Sequence, residues 1–168
     1  MFGGISGAVV ALKHFCTIDR VFSIEKDDIA QAVAKANADR GQFGPDVEFI
    51  ERGDVLDVSI LDLRRIIYDL KPGQDLLLVA GSPCQDLSAA GVNNDGRHRE
   101  GIKGPQSSLF FKVPAFIFYL RYFMRDRVRN DPKFKANQPT FSWVVENVGS
   151  MSPLDHMTFS YFLGGTKP

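Results

Sequence analysis

Apolar residues recur along this chain with two periods, and the switches between them divide it into alternating elements. In "KDDIAQAVAKANADR", Ile29, Val33 and Ala36 fall at i, i+4 and i+7, the spacing of one helix face. "VSILDLRRIIYDL" sets Leu63, Ile66, Ile67 and Leu70 on one face before "KPG" stops it. "RVFSIE" and "VEFIE" read as short strands, and "SGAVVALKHF" as a helix ahead of them. "DLLLVA" is an uninterrupted apolar run, which predicts a strand covered on both faces. Strand and helix in alternation predict an α/β fold with a parallel sheet.

The second half is less regular. Residues 81–105 are rich in Gly, Asn, Asp and Ser without a period, and a connection of that length predicts a lid or binding loop. A long helix is expected from near Ser107, carrying Leu109, Val113, Phe116, Ile117 and Leu120, with a kink at Pro114. "RNDPKFKANQP" predicts a surface connection, "TFSWVVENV" a fourth strand, and "LDHMTFSYFLGG" a last helix closed by glycines.

With 168 residues the chain suits one domain. Hydrophobic residues make up 44% and charged residues 24%, a globular composition. Lys+Arg 20 balance Asp+Glu 20, so the total charge points to no partner. Locally, "RYFMRDRVRNDPKFK" gathers cations, either a nucleic-acid stripe or a solvated helix end. Cys16 and Cys84 form no C-x-x-C pair, and His14, His98 and His156 show no ligand spacing, so no metal is expected. There is no basic leader and no uncharged run of about 18 residues, so an intracellular protein with reduced thiols and no membrane contact is expected.

Ligands of open α/β sheets bind beyond the carboxyl ends of the strands. Those ends carry "FGGISG" before the first helix, then Glu25, Asp54, Cys84 and Glu146 in turn. Glycines permit close backbone approach, and a carboxylate ending the next strand suits two ribose hydroxyls. "FGGISG" is not G-x-G-x-x-G, so a nucleoside cofactor without a pyrophosphate is expected.

A cysteine in a loop is most often a small buried hydrophobe. Pro83 stiffens this one's turn, and a thiol at a strand end facing a crevice is placed to act as a nucleophile. A phosphatase loop needs arginine where Ala90 stands, and a dithiol oxidoreductase needs cysteine at Leu87. A Cys/His hydrolase using His98 or His156 stays open. Glu146, after the buried strand "SWVV", is the better partner, its carboxyl expected to be partly desolvated.

"GSPCQDLS" and "ENV", preceded by "FGGISG", an acid after the next strand and "GDV", resemble the cytosine-5 DNA methyltransferases in order and spacing. "GIKGPQSSLFF" and "FSWVVENVGSM" look most like the eukaryotic de novo subfamily. The resemblance covers most of the chain. It implies a Rossmann-like sheet, S-adenosylmethionine as methyl donor, and duplex DNA as partner with the target cytosine flipped out. Carried over by position, Phe2, Gly4, Ile5, Ser6, Gly81 and Leu109 would line the cofactor, Glu25 would hold its ribose, and Asp54 and Val55 its adenine. Cys84 would attack the base and Glu146 would engage ring nitrogen 3, while Pro83, Gln85, Ser88 and Asn147 would contact the substrate.

Against the family's pattern, the strand that precedes "FGGISG" is missing, as are the Gln/Arg-x-Arg motif, the recognition domain and the closing C-terminal segment. Residues 1–168 are therefore expected to be a single partial catalytic domain without a target recognition domain. Two functions follow. One is a catalytic region, alone or completed by a C-terminal chain. The other is an inactive remnant acting as a regulatory or protein-binding subunit, for instance a homo-oligomer meeting through Phe110 and Phe111.

Overall fold

The computed structural model describes residues 2–4, 6–84, 86–87 and 100–164. In chain order the elements are α1 (Gly7–Leu12), β1 (Arg20–Ser23), α2 (Asp28–Asp39), β2 (Glu48–Glu51), α3 (Ile60–Tyr68) and β3 (Leu76–Gly81). After two 3-10 turns, Gly101–Lys103 and Ser107–Phe111, come α4 (Lys112–Asn130), α5 (Pro132–Ala136), β4 (Phe141–Glu146) and α6 (Pro153–Phe162). The alternating α/β pattern is the expected one. Asp27 and Ser59 cap α2 and α3, and Asp62 completes a capping box on α3.

All strand pairing among the described residues is parallel, but it forms two separate pairs. β1 lies on β2 with Ser23 opposite Glu51, and β3 lies on β4 with Gly81 opposite Glu146. β1 and β3 share no ladder. A side-chain bond from Gln74 to Asp19 (2.9 Å) links the residues just before them.

The main core lies between the β3–β4 pair and two helices. Leu63, Ile66 and Ile67 of α3 meet Val113, Phe116, Ile117, Leu120 and Met124 of α4, with Ala80 beneath them. Leu76, Leu78, Phe141, Trp143 and Val145 close one sheet face onto it. The opposite face is not covered as "DLLLVA" implied, because Leu77 is 41% and Val144 54% exposed. Successive side chains alternate between faces, so a continuous apolar run places half its residues on a face that no described helix packs against.

Three further expectations change. α2 turns Ala34 inward and leaves Ile29 and Val33 exposed, because Gln31 donates to the Glu25 carbonyl and fixes the face one turn before Ala34. Pro114 stands in the first turn of α4, where the missing N–H forfeits no helical bond, so the ground for a kink disappears. The connection after α4 contains α5, with Asp131 as its cap, Pro132 in its first turn and Phe134 buried beneath the Arg127 guanidinium at 3.6 Å.

Asp75 joins the starts of β3 and β4. Its carboxylate accepts from both the hydroxyl and the backbone N–H of Thr140, and these bonds, the hydroxyl first, hold its pKa below the ordinary value. A depressed carboxyl contributes stability in full above its unfolded value near pH 4, and loses it as pH falls through the folded one. Asp75→Asn should therefore flatten the acid limb: urea midpoints measured from about pH 6 to about pH 3 should fall less steeply than those of the wild type.

Candidate active site

The carboxyl ends of the strands gather the residues marked by sequence. Before α1 the backbone passes through left-handed conformations at Phe2, Gly4 and Ser6. The turn is fastened to β1's exit: Gly3 N–H donates to Ile24 O at 3.1 Å and Gly4 N–H to Glu25 Oε2 at 2.9 Å. Glu25 Oε1 accepts from the amides of Lys26 and Asp27 at 2.9 and 3.0 Å. Three N–H groups thus aim one carboxylate. A carboxylate offers about four acceptor positions, so one stays open for a ligand hydroxyl.

A cavity of about 270 Å³ opens beside this carboxylate, lined by Phe2, Gly4, Ile24, Glu25, Lys26, Asp54, Val55, Gly81, Pro83, Gln106 and Leu109. Its apolar walls come from Phe2, Ile24, Val55 and Leu109, and its polar groups from Glu25, Lys26, Asp54 and Gln106. Asp54 is steadied by the Leu56 amide at 2.9 Å. Nothing lies within 4 Å of where a Cβ would stand on Gly4, so a ligand has room to approach that backbone.

Cys84 is half-buried three residues beyond Gly81, the register partner of Glu146. A Cβ on Gly81 would stand 3.3 Å from Glu146 Oε2, so glycine there lets the carboxylate lie across the end of β3. Asn147 Nδ2 donates to Ser82 O (3.1 Å) and Ser82 Oγ (2.8 Å). The "SPC" and "EN" segments are therefore bonded side by side. Glu146 itself is exposed, so the described residues do not provide the desolvation expected for it.

Asp86 ties the Cys84 turn to the start of the long helix. Leu87 N–H closes the turn on Cys84 O at 2.9 Å, and the Asp86 carboxylate accepts from the amides of Gln106 and Ser107 at 3.0 Å each. Gly104 is packed against that carboxylate, where an added Cβ would stand 2.4 Å from Asp86 Cγ. A side chain as short as aspartate cannot swing clear without breaking both bonds. Gly104→Ala should cost about 2–4 kcal/mol in urea unfolding and alter the alkylation rate of Cys84. Close by, buried Asp155 accepts from Ile102 N–H (3.1 Å) and the Ser152 hydroxyl (2.8 Å), securing the first 3-10 turn to α6.

Of the residues marked for a cofactor, Phe2, Gly4, Glu25, Asp54, Val55, Gly81 and Leu109 line the cavity. Ser6 is buried behind the turn, and Ile5, Gln85 and Ser88, with His98, lie outside the described residues. Pro83 adjoins the cavity, and Asn147 acts through Ser82. Sequence reasoning missed Ile24, Lys26 and Gln106; the first two flank Glu25, while Gln106 arrives through Asp86 and carries no signal of its own. Phe110 cannot serve a surface contact, since it is fully buried and stacked on Phe159, whereas Phe111 is 37% exposed. His156 is exposed on α6. Among the described residues no cluster of His, Cys, Asp and Glu is arranged to hold a metal, and no helix is long and apolar enough to cross a membrane.

The chain has no match among curated proteins. Residues 1–120 match the model of the C-5 cytosine-specific DNA methylases. That span runs from the glycine turn through the Glu25 cavity and Cys84 into α4, well over half of the 168 residues. The chain therefore belongs to the C-5 cytosine-specific DNA methylase family.

Proposed function

We propose that this chain is the catalytic region of a DNA cytosine-5 methyltransferase, of the kind found in the eukaryotic de novo subfamily, acting through a covalent bond from Cys84. The observation that carries the reading is the bonding of two strand ends beside one cavity: Gly81 opposite Glu146, and Asn147 bonded to Ser82. The two parallel pairs, with their helices, agree with a Rossmann-like sheet of which this is a part.

The cavity's chemistry fits S-adenosylmethionine. Glu25 keeps an acceptor position for a ribose hydroxyl, Asp54 and the buried Val55 offer a polar edge and an apolar wall to adenine, and Gly4 permits close approach. Phe2, Ser6, Gly81 and Leu109, with Ile5, complete the assignment. When bound, this cofactor supplies an electrophilic methyl group.

The chain's residues then act on the base. The Cys84 thiolate bonds to ring carbon 6 of a flipped cytosine, and the electron pair moves toward carbon 5. Glu146 hydrogen-bonds or protonates ring nitrogen 3, which offsets the charge that develops on the ring. Carbon 5 would take the methyl group as the donor's methyl–sulfur bond breaks and the neutral thioether leaves; the carbon 5 proton would then pass to water, ring nitrogen 3 would return any proton it took to Glu146, and the bond from carbon 6 to Cys84 would break to restore the thiolate and an aromatic base. Asn147 holds the Ser82–Pro83 turn that aims Cys84; Gln85 and Ser88 are assigned to the base side.

Calorimetry with S-adenosylhomocysteine tests the cofactor half. Glu25→Ala removes charge-assisted bonds worth about 1.5–3 kcal/mol, so affinity should fall roughly 10- to 100-fold. Unchanged affinity would remove the ribose assignment.

A further inference from the structure

A groove of about 440 Å³ lies far from Cys84, between the second half of α4, α5 and the segment entering β4. Arg125, Arg129, Lys135 and Gln138 line it above an apolar floor of Met124 and Val128. It sits at the amino ends of β3 and β4, six residues of strand, roughly 20 Å, from the catalytic end.

The basic run that sequence left open divides in two here. Arg121 and Arg127 are engaged internally, over Trp143 at 5.2 Å and over Phe134 at 3.6 Å. The side chains of Arg125, Arg129 and Lys135 have no hydrogen bond, ion pair or ring contact among the described residues. Asp126, which accepts from Tyr68 and Asn130, and Asp131, which caps α5, keep their charge, but neither lines the groove. Three cations with no lining carboxylate, in a chain of zero net charge, make a local field that the apolar floor strengthens. The carboxyl end of α4 opposes it with only about half a charge.

We infer that this groove binds the phosphodiester backbone of a nucleic acid, as a second contact separate from the catalytic pocket. Arg125 and Arg129 stand one turn apart on one face, placing two guanidinium groups along an extended anion, with Lys135 across from them. A row of three cations matches the evenly repeated charge of a phosphodiester backbone, which a peptide carries only where its acidic residues happen to fall. Nucleic acid as the partner rests on membership of a DNA-modifying family and not on the role of Cys84.

Fluorescence anisotropy of a labelled 30-base-pair duplex over a salt series tests this, on wild type and on the triple variant Arg125→Gln, Arg129→Gln, Lys135→Gln. Each phosphate contact contributes about 0.9 to the slope of log affinity against log salt, so the variant's slope should be shallower by about 2–3. Its deficit should then shrink about 40-fold between roughly 50 and 200 mM salt. A control neutralising Lys35, Arg64 and Arg65 changes net charge equally and should keep the wild-type slope.

An unaltered slope in the groove variant, an equal loss in the control, or no duplex binding by the wild type would overturn the inference. So would polyglutamate displacing the duplex at lower charge concentration than unlabelled DNA, which would make the groove a site for acidic protein. S-adenosylhomocysteine affinity should be unchanged in the groove variant. Loss of Cys84 chemistry alongside a normal salt response would count against the catalytic reading and leave the groove standing.

Discussion

Cys84→Ser is expected to abolish methyl transfer to cytosine while leaving S-adenosylhomocysteine affinity unchanged. A thiolate is intrinsically nucleophilic, whereas a serine hydroxyl in the same turn has no base among the described residues to activate it. Loss of a nucleophile that forms a covalent intermediate should cost roughly 10⁴-fold or more. Glu146→Gln keeps the shape at the end of β4 but gives up the transferable proton, and should cost about 10²–10⁴-fold. Cys16→Ser provides the control, since Cys16 is exposed and, among the described residues, its thiol meets only the Leu12 carbonyl. Labelled-methyl incorporation into duplex DNA, with calorimetry on the same proteins, separates chemistry from binding.

Phe110→Ala should give the largest loss of stability. Phe110 is fully buried with Leu87, Ile102 and Phe159, its ring 3.7 Å from that of Phe159 and 20° from parallel. Truncation leaves a cavity that neighbours on a 3-10 turn and a helix can fill only partly, costing about 3–5 kcal/mol. For a chain of this size the melting temperature should fall by about 6–20 °C. Leu87 belongs to the same cluster and closes the Cys84 turn, so methyl transfer should also slow at temperatures where the variant stays folded. Phe111→Ala is the internal comparison: that ring is 37% exposed with an edge contact to Phe162, and its loss should cost about 1 kcal/mol. Equal losses for the two would mean that the second cluster does not hold this region.

Periodicity found the strands and most of the helices, because amphipathic spacing is local. α3 is the clear case, with Leu63, Ile66 and Ile67 buried as their spacing implied. α2 shows the limit: Ala34 carries too little hydrophobicity to mark a buried face, and the orientation is set by Gln31 reaching the Glu25 carbonyl. α5 had a legible start, Asp131 before Pro132, but sat within a run whose polarity reads as loop. The cofactor side was legible because strand-end acids and glycines signal ligand approach. Lys26 and Gln106 were not, since one is an ordinary surface residue type and the other joins the cavity through Asp86, twenty positions earlier. The exposed face of β3 and β4 was misread because a strand's apolar run says what it can bury, not what packs on it.

The proposed reaction turns on the bond between Cys84 and carbon 6 of a flipped cytosine. Mass spectrometry after incubation with S-adenosylmethionine and a duplex carrying 5-fluorocytosine tests it most directly, because fluorine at carbon 5 blocks the final proton loss and traps the adduct. The expected result is a DNA-linked peptide with the modification on Cys84, absent from Cys84→Ser and retained in Cys16→Ser. No adduct, or one on any other residue, would mean that Cys84 is not the nucleophile.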